Sequence, residues 1–108
     1  GANHINAVLM GRVTSGDYSI VGSAARHYYA SIHGVVRVSG TVTLTGTPAF
    51  TTFAESESRS AIVLNGSTFT GSATGKRYNA TGNGMLVTSG LTLPGYVAGT
   101  TSTGGPYT

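Results

Sequence analysis

A tetrapeptide that ends in glycine recurs along the chain at a nearly constant spacing. Each copy begins with Ser or Thr, has an apolar residue second and ends in glycine, at positions 19–22, 43–46, 68–71 and 92–95. The interval from one repeat glycine to the next is almost the same each time, from Gly22 to Gly46, Gly71 and Gly95. A period in the twenties is typical of folds in which short units stack on one another, because no unit buries its apolar face alone. The spacing therefore predicts a stacked repeat architecture.

The composition indicates which secondary structure the repeat contains. The residues that favour helix interiors are scarce, with one Lys, two Glu and no Gln, whereas β-branched and aromatic residues are frequent. Charged residues make up only 8% of the chain, which is too low for a disordered polyampholyte. We therefore expect an all-β protein.

Positions within the repeat suggest three short strands for each unit. A second glycine precedes each repeat glycine by five or six residues, at positions 16, 40, 66 and 90. One unit then reads as a strand over 35–39, a turn at Gly40, a strand over 41–45, a turn at Gly46 and a strand containing Phe53. Apolar and polar residues alternate around Val42, as in a half-buried strand. Two inward ladders are predicted, one of Ile20, Leu44, Phe69 and Leu93, and one of Tyr29, Phe53 and Tyr78.

These features predict a right-handed parallel β-helix of about three to four coils, each of roughly 24 residues. Residues 1–10 would form a lead-in, 11–95 the repeats, and 96–108 a C-terminal cap or tail over an end whose strand edge would otherwise be unpaired. The alternative is a β-sandwich, since strands every 8–12 residues also fit that class. Two observations argue against the sandwich. Asn-Gly hairpin turns are few, and a sandwich does not require the nearly constant spacing of the repeat glycines.

Charge and cysteine content exclude several classes of function. The net charge is +3, but it rests on six scattered cations, which indicates a lightly charged surface and no nucleic-acid partner. No cysteine is present, so disulfides and zinc–thiolate sites are excluded. No apolar run approaches the length of a membrane-spanning helix, which is roughly 20 residues, so no membrane insertion is expected. Nothing in the sequence calls for a cofactor.

Catalytic and metal-binding arrangements are weak. The chain has three carboxylates, and Glu55 and Glu57 would share one face of a strand, as an acid–base pair could. Their Ser-rich surroundings over 55–59 instead predict a solvated loop. The three histidines, His4, His27 and His33, lack the spacing of metal ligands. We therefore predict no catalytic and no metal-binding residue, which favours a non-enzymatic protein.

A shallow carbohydrate surface is the more plausible site. When the coils are aligned on the repeat glycine, Tyr28 and Arg77 fall in the same column, with Arg26, His27 and Lys76 beside them. An exposed aromatic ring next to guanidinium groups suits stacking on sugars and binding of anionic polysaccharide. The alternative is that these side chains lie between the chains of a trimer or coat a corner of the coil.

Three stretches resemble a known family, the C-terminal part of bacteriophage tail fibres and tailspikes. They are 38–50, 68–84 and 93–108. Such proteins commonly end in a similar Gly-Ser-Ala-Thr-Gly-x-Arg-Tyr segment, an Asn-Gly, then a Pro-Gly and a Gly-Gly-x-Tyr near the terminus. The resemblance covers roughly residues 20–108, and it departs from the pattern at Pro106, where a polar residue is expected.

The resemblance implies a parallel β-helix, usually trimeric, on a virion appendage that contacts the host surface. The implied partners are two further copies of the chain, other virion tail proteins and a host cell-surface glycan, and the implied location is extracellular, on the virion tail. It implies no catalytic residue in this segment. Two other functions stay open, namely a fragment of a polysaccharide depolymerase (a glycoside hydrolase or lyase) and a bacterial surface adhesin on the same scaffold.

Overall fold

The computed structural model describes residues 3–101, and this range contains ten β-strands and no helix. None of it therefore forms a helix long and apolar enough to cross a membrane. The strands are β1 (Asn3–Ala7), β2 (Arg12–Ser15), β3 (Tyr18–Ile20), β4 (Ala24–Ala30), β5 (Val35–Leu44), β6 (Ala49–Ser56), β7 (Ala61–Thr70), β8 (Thr74–Ala80), β9 (Met85–Val87) and β10 (Thr100–Thr101).

The strands form two parallel sheets between which the chain alternates. Sheet A has the order β1-β4-β6-β8-β10, and sheet B has the order β2-β5-β7-β9, with β3 also paired to β5. One passage through both sheets is one coil, and the chain makes about four turns. The predicted parallel β-helix is confirmed as a parallel β-solenoid. The sandwich alternative is wrong, because every named strand pair in residues 3–101 is parallel.

The core lies between the two sheets and is built by alternation along the long strands. In β5, Val36, Val38, Val42 and Leu44 are buried. Sheet A contributes Phe50 and Phe53 from the other side. Three members of the first predicted ladder, Ile20, Leu44 and Leu93, are buried as expected, and Phe69 packs against this core.

Irregularities in pairing move residues out of the columns that spacing predicts. Ile20 lies opposite Leu44, but Phe69 lies opposite Val42, and a one-residue shift in the β5–β7 register between Arg37 and Ser39 accounts for part of this displacement. A second shift separates Ala49 from Thr52 in the β6–β8 pair. The predicted ladder of Tyr29, Phe53 and Tyr78 is therefore wrong. Tyr29 lies opposite Glu55, and Tyr78 lies opposite Ala54.

The prediction of three strands in each coil holds only in the first coil. There, Gly16 and Asp17 separate β2 from β3. In the second coil β5 runs unbroken through the predicted turn at Gly40, which has a φ of 125° and still lies opposite Ser67. Glycine tolerates this conformation because it has no Cβ. The strand therefore passes the turn position without losing its pairing.

Tight turns join sheet A to sheet B and stack in one column. In each turn the first residue accepts a hydrogen bond from the backbone N–H of the fourth, and both central residues have positive φ, as in type I′ turns. We call the four turns at 8–11, 31–34, 57–60 and 81–84 the turn column. The first three have non-glycine central residues, namely Leu9-Met10, Ile32-His33 and Ser58-Arg59, and the fourth has Gly82-Asn83.

Both ends of the described chain pair with sheet A. Within residues 1–10, β1 lies beside β4. Within residues 96–108, Val97 pairs with Lys76 and β10 pairs with β8. The remainder of the predicted cap, residues 102–108, lies outside the described residues.

Candidate functional site

Two rows of polar side chains run across β4, β6 and β8 of sheet A. Arg26, Thr52 and Lys76 occupy one row, and Tyr29, Glu55 and Asn79 occupy the other. Arg26, Tyr29, Glu55, Glu57 and Lys76 are each only partly buried. We call these five residues the polar face. Arg26 and Lys76 thus lie in one row, two strands apart, with Thr52 between them.

Arg26 is held by two contacts on the polar face. Its guanidinium carbon lies 4.1 Å from the centroid of the Tyr29 ring, and its Nη1 donates to Glu55 Oε2 at 3.3 Å. Near the surface a cation–π contact contributes about 0.5–1 kcal/mol and an ion pair about 0–1 kcal/mol. Together the two contacts orient the guanidinium. The Arg26–Glu55 ion pair leaves both of its side chains partly exposed to solvent.

Tyr29 connects Arg26 to Glu57. Its hydroxyl donates to Glu57 Oε1, and Ser31 Oγ donates to the same oxygen at 3.3 Å. Burial, together with this hydrogen bond to Glu57, raises the pKa of the Tyr29 hydroxyl above its ordinary value. The phenol therefore remains a donor at neutral pH, and Glu57 is held as an acceptor.

Glu55 is a strand residue, so the predicted solvated loop over 55–59 is wrong at this position. It lies in β6, and only Ser58 and Arg59 are exposed in the turn that follows. Burial raises the pKa of the Glu55 carboxyl, and the nearby Glu57 raises it further, while Arg26 and Lys76 oppose the shift. The polar face therefore combines two carboxylates with two cations, one of which, Arg26, lies over the Tyr29 ring.

Tyr28 lies inside the molecule, which contradicts the exposed position expected for it. Its exposed fraction is 0%, and its ring packs edge-on against Phe53 with centroids 5.3 Å apart. Its hydroxyl hydrogen-bonds to the Tyr18 hydroxyl. The predicted column of Tyr28 and Arg77 is wrong, since Tyr28 lies opposite Ala54, which lies opposite Tyr78.

His27 is also a core residue, and both of its ring nitrogens are engaged. Nδ1 lies 2.9 Å from His4 Nδ1, and Nε2 lies 2.6 Å from the Tyr18 hydroxyl. Burial lowers the pKa of His27 to about 3, with a smaller contribution from His4. The surface position predicted for His27, beside the column of Tyr28 and Arg77, is therefore wrong. His27 is a neutral, hydrogen-bonded histidine beside a groove of about 440 Å³.

Arg77 is separate from the polar face. It lines two hollows near the last coil, of about 190 Å³ and about 340 Å³, and its buried Nε has no hydrogen-bond partner within residues 3–101. The described residues contain no group of three or more His, Asp or Glu that could hold a metal ion. The structure thus brings together Arg26 and Lys76 among the predicted site residues and places Tyr28, His27 and Arg77 elsewhere.

Sequence reasoning missed the role of Tyr29, Glu55 and Glu57 in this site. Strands β4 and β6 pair with a larger offset along the chain than the repeat glycines suggest, so that Tyr29 meets Glu55 and Arg26 meets Thr52. The difference arises in the loops between the strands, where the length of each coil varies without a change in the glycine pattern. The glycine spacing alone therefore could not reveal which side chains meet on sheet A.

Comparison with known proteins adds no relative: no protein-family model, curated protein or solved structure matches this chain. A partly exposed aromatic ring, two cations, two carboxylates and neighbouring hydroxyl and amide groups provide a surface for stacking and for many hydrogen bonds. Such a surface suits a hydroxyl-rich ligand.

Proposed function

We propose that this chain is a non-enzymatic structural and receptor-binding module of a bacteriophage tail fibre or tailspike. The observation that carries the proposal is the regular parallel solenoid, whose sheet A presents the polar face. A stack of coils is a rigid rod on which binding residues keep their spacing. The resemblance of residues 20–108 to the C-terminal region of such proteins supports the same assignment, with a virion tail as its location.

The proposed partner on the polar face is a host cell-surface polysaccharide. Tyr29 offers an aromatic surface, although Arg26 covers one side of the ring. Lys76 and Arg26 supply donors for sugar hydroxyls or acidic groups, and Glu57 supplies an acceptor. The Arg26–Glu55 ion pair and the Tyr29–Glu57 hydrogen bond lie near the surface, so a ligand can replace them at a small cost in free energy.

The proposed assembly is a homotrimer that joins other virion tail proteins. Several large apolar side chains are exposed on the single chain, and burying them against identical chains is an economical route to stability for a small core. The most exposed are Val21 at 79%, Met10 at 78%, Tyr96 at 71% and Leu9 at 70%. In a trimer these side chains would face neighbouring copies.

A binding experiment on an array of bacterial surface polysaccharides tests the proposed site. We expect the chain to bind at least one polysaccharide, and the double variant Arg26→Ala, Lys76→Ala to bind it at least tenfold more weakly. The matched control is Arg12→Ala, Arg37→Ala, which removes two exposed cations from sheet B and should bind within twofold of the wild type. Equal losses in the two variants, or no loss in either, would contradict the proposed site.

A second candidate function is a fragment of a polysaccharide depolymerase. The observation that favours it is the raised pKa of Glu55 beside the second carboxylate Glu57, since glycosidases use a protonated acid with a nearby carboxylate. New reducing ends released from a bound polysaccharide, and lost in Glu55→Gln, would establish this function. Binding without release of reducing ends supports the non-enzymatic module.

A further inference from the structure

Arg77 lines both of the hollows near the last coil. The residues common to both walls are Arg77, Thr92 and Leu93, and Arg77 is the charged residue in each. The smaller hollow is completed by Phe69, Gly71, Ser72, Ala73, Pro94 and Gly95. A cation therefore faces a small space whose described walls include no carboxylate side chain.

The Arg77 guanidinium has an unused buried donor. Its Nε is shielded from solvent and has no partner in the described part of the chain, while the three carboxylate side chains are engaged elsewhere. Asp17 accepts from the Thr41 backbone N–H at 2.7 Å, Glu55 pairs with Arg26, and Glu57 accepts from a tyrosine. A buried donor without an acceptor is destabilising, because the hydrogen bond that it made to water in the unfolded chain is not replaced. Arg77 therefore has no carboxylate partner in the described part of the chain, and an acidic ligand would supply one.

The backbone around Arg77 is fixed before any ligand arrives. Its N–H donates to the Val97 carbonyl oxygen at 3.0 Å, and the Val97 N–H donates to the Gly75 carbonyl oxygen at 3.1 Å. Gly95 has a φ of 136°, and a Cβ there would lie 3.0 Å from Arg77 Cγ. Glycine at position 95 therefore leaves room for the aliphatic part of the Arg77 side chain, and the site needs little rearrangement to bind a ligand.

We propose that Arg77 and the smaller hollow bind one uronic-acid unit of an acidic polysaccharide. A guanidinium edge pairs with a carboxylate through two parallel hydrogen bonds. The hydroxyls of Ser72 and Thr92 suit the ring hydroxyls of the sugar, and Phe69 and Pro94 supply apolar wall. The volume of about 190 Å³ is below that of a pocket for a drug-sized ligand, which fits a single ring. The assignment rests on the proposed function and specifies its ligand class.

Titration calorimetry with monosaccharides tests the assignment. We expect D-glucuronate to bind at least tenfold more tightly than D-glucose or the methyl ester of glucuronate, which lack the carboxylate. Arg77→Gln should weaken glucuronate binding at least tenfold. The exposed Arg37→Gln on β5 removes the same charge and should stay within twofold of the wild type. Circular dichroism of each variant checks that the fold is kept.

A second variant keeps the test decisive if Arg77→Gln does not fold. Thr92→Val retains the guanidinium but removes a hydroxyl, so it should weaken glucuronate binding severalfold. Unchanged binding in the folded Arg77→Gln or in Thr92→Val, no glucuronate binding by the wild type, or equal competition by sulfate would each overturn the assignment. Array binding that depends on Arg26 and Lys76 but not on an acidic sugar would leave the proposed function standing while this assignment fails.

Discussion

At the scale of single residues, close approach of neighbouring coils fixes the identity of Gly75. Its φ is 104°, and a Cβ there would overlap the carbonyl oxygen of Phe50 in the adjacent strand. We predict that Gly75→Ala lowers the free energy of unfolding by about 2–4 kcal/mol, from backbone strain and overpacking together. Urea denaturation monitored by circular dichroism measures the change.

Gly22 provides the matched control for this prediction. A Cβ at Gly22 meets no atom within 4 Å, and its φ is not in the left-handed region. Gly22→Ala should therefore change the free energy of unfolding by no more than about 0.5 kcal/mol. Similar effects of the two substitutions would contradict the packing of β8 on β6.

His27 makes the stability of the protein depend on pH. Its pKa falls from the ordinary 6.5 to about 3 in the fold, so the unfolded chain binds the proton more readily. The contribution of neutral His27 to the free energy of unfolding is fully present above pH 6.5. It is lost as the pH falls toward 3, by at most about 1.4 kcal/mol per pH unit. We predict that the free energy of unfolding decreases with acidification through this window.

Two variants isolate the contribution of His27. His27→Phe should flatten the pH dependence between 6.5 and 3, whereas the exposed His33→Gln should follow the wild type. Glu55, whose pKa is raised by burial, acts in the opposite sense because its stability contribution is lost as the pH rises. The informative quantity is therefore the difference between wild type and variant. An unchanged slope in His27→Phe would show that this histidine does not stay neutral in the core.

At the scale of elements, the turn column carries strain in its early turns. Ile32 has a φ of 50°, an unfavourable conformation for a β-branched residue, and its side chain is 46% exposed. The corresponding turn of the last coil contains Gly82 and Asn83, which accept positive φ readily. We predict that Ile32→Asn raises the free energy of unfolding by about 0.5–1 kcal/mol, since the left-handed region costs an ordinary residue about 1–2 kcal/mol.

Thermal unfolding at a fixed protein concentration checks the prediction for Ile32. Val21→Asn is the control, because Val21 is 79% exposed but has no positive φ, and it should bring no gain. A gain in Val21→Asn equal to that in Ile32→Asn would mean that lower surface hydrophobicity, and not relief of strain, is responsible.

The elements also show how far sequence reasoning reaches. The glycine period predicts the parallel stack, and alternation around Val42 predicts the buried face of β5, because both depend on local spacing. Which residues of neighbouring coils lie opposite one another is harder to predict from the sequence. A shift in pairing after Arg37 and a longer connection before β6 change which residues meet, and neither leaves a mark in the repeat. Burial of Tyr28 and His27 is also missed, because β4 departs from strict alternation and buries both of these neighbouring residues.

At the scale of the whole molecule, the chain is a short stack whose parts contact mainly their neighbours. The first described coil carries the groove beside His27 and the exposed Leu9 and Met10. These surfaces account for the proposed assembly, because identical chains can cover them.

The mass of the assembly in solution tests the proposed trimeric module most directly. The chain has a mass of 10.9 kDa, so sedimentation equilibrium or native mass spectrometry separates one copy from three without ambiguity. We predict a species of three times the chain mass at micromolar concentration, unchanged on further dilution within that range. A folded species with the mass of a single chain under the same conditions would contradict the account.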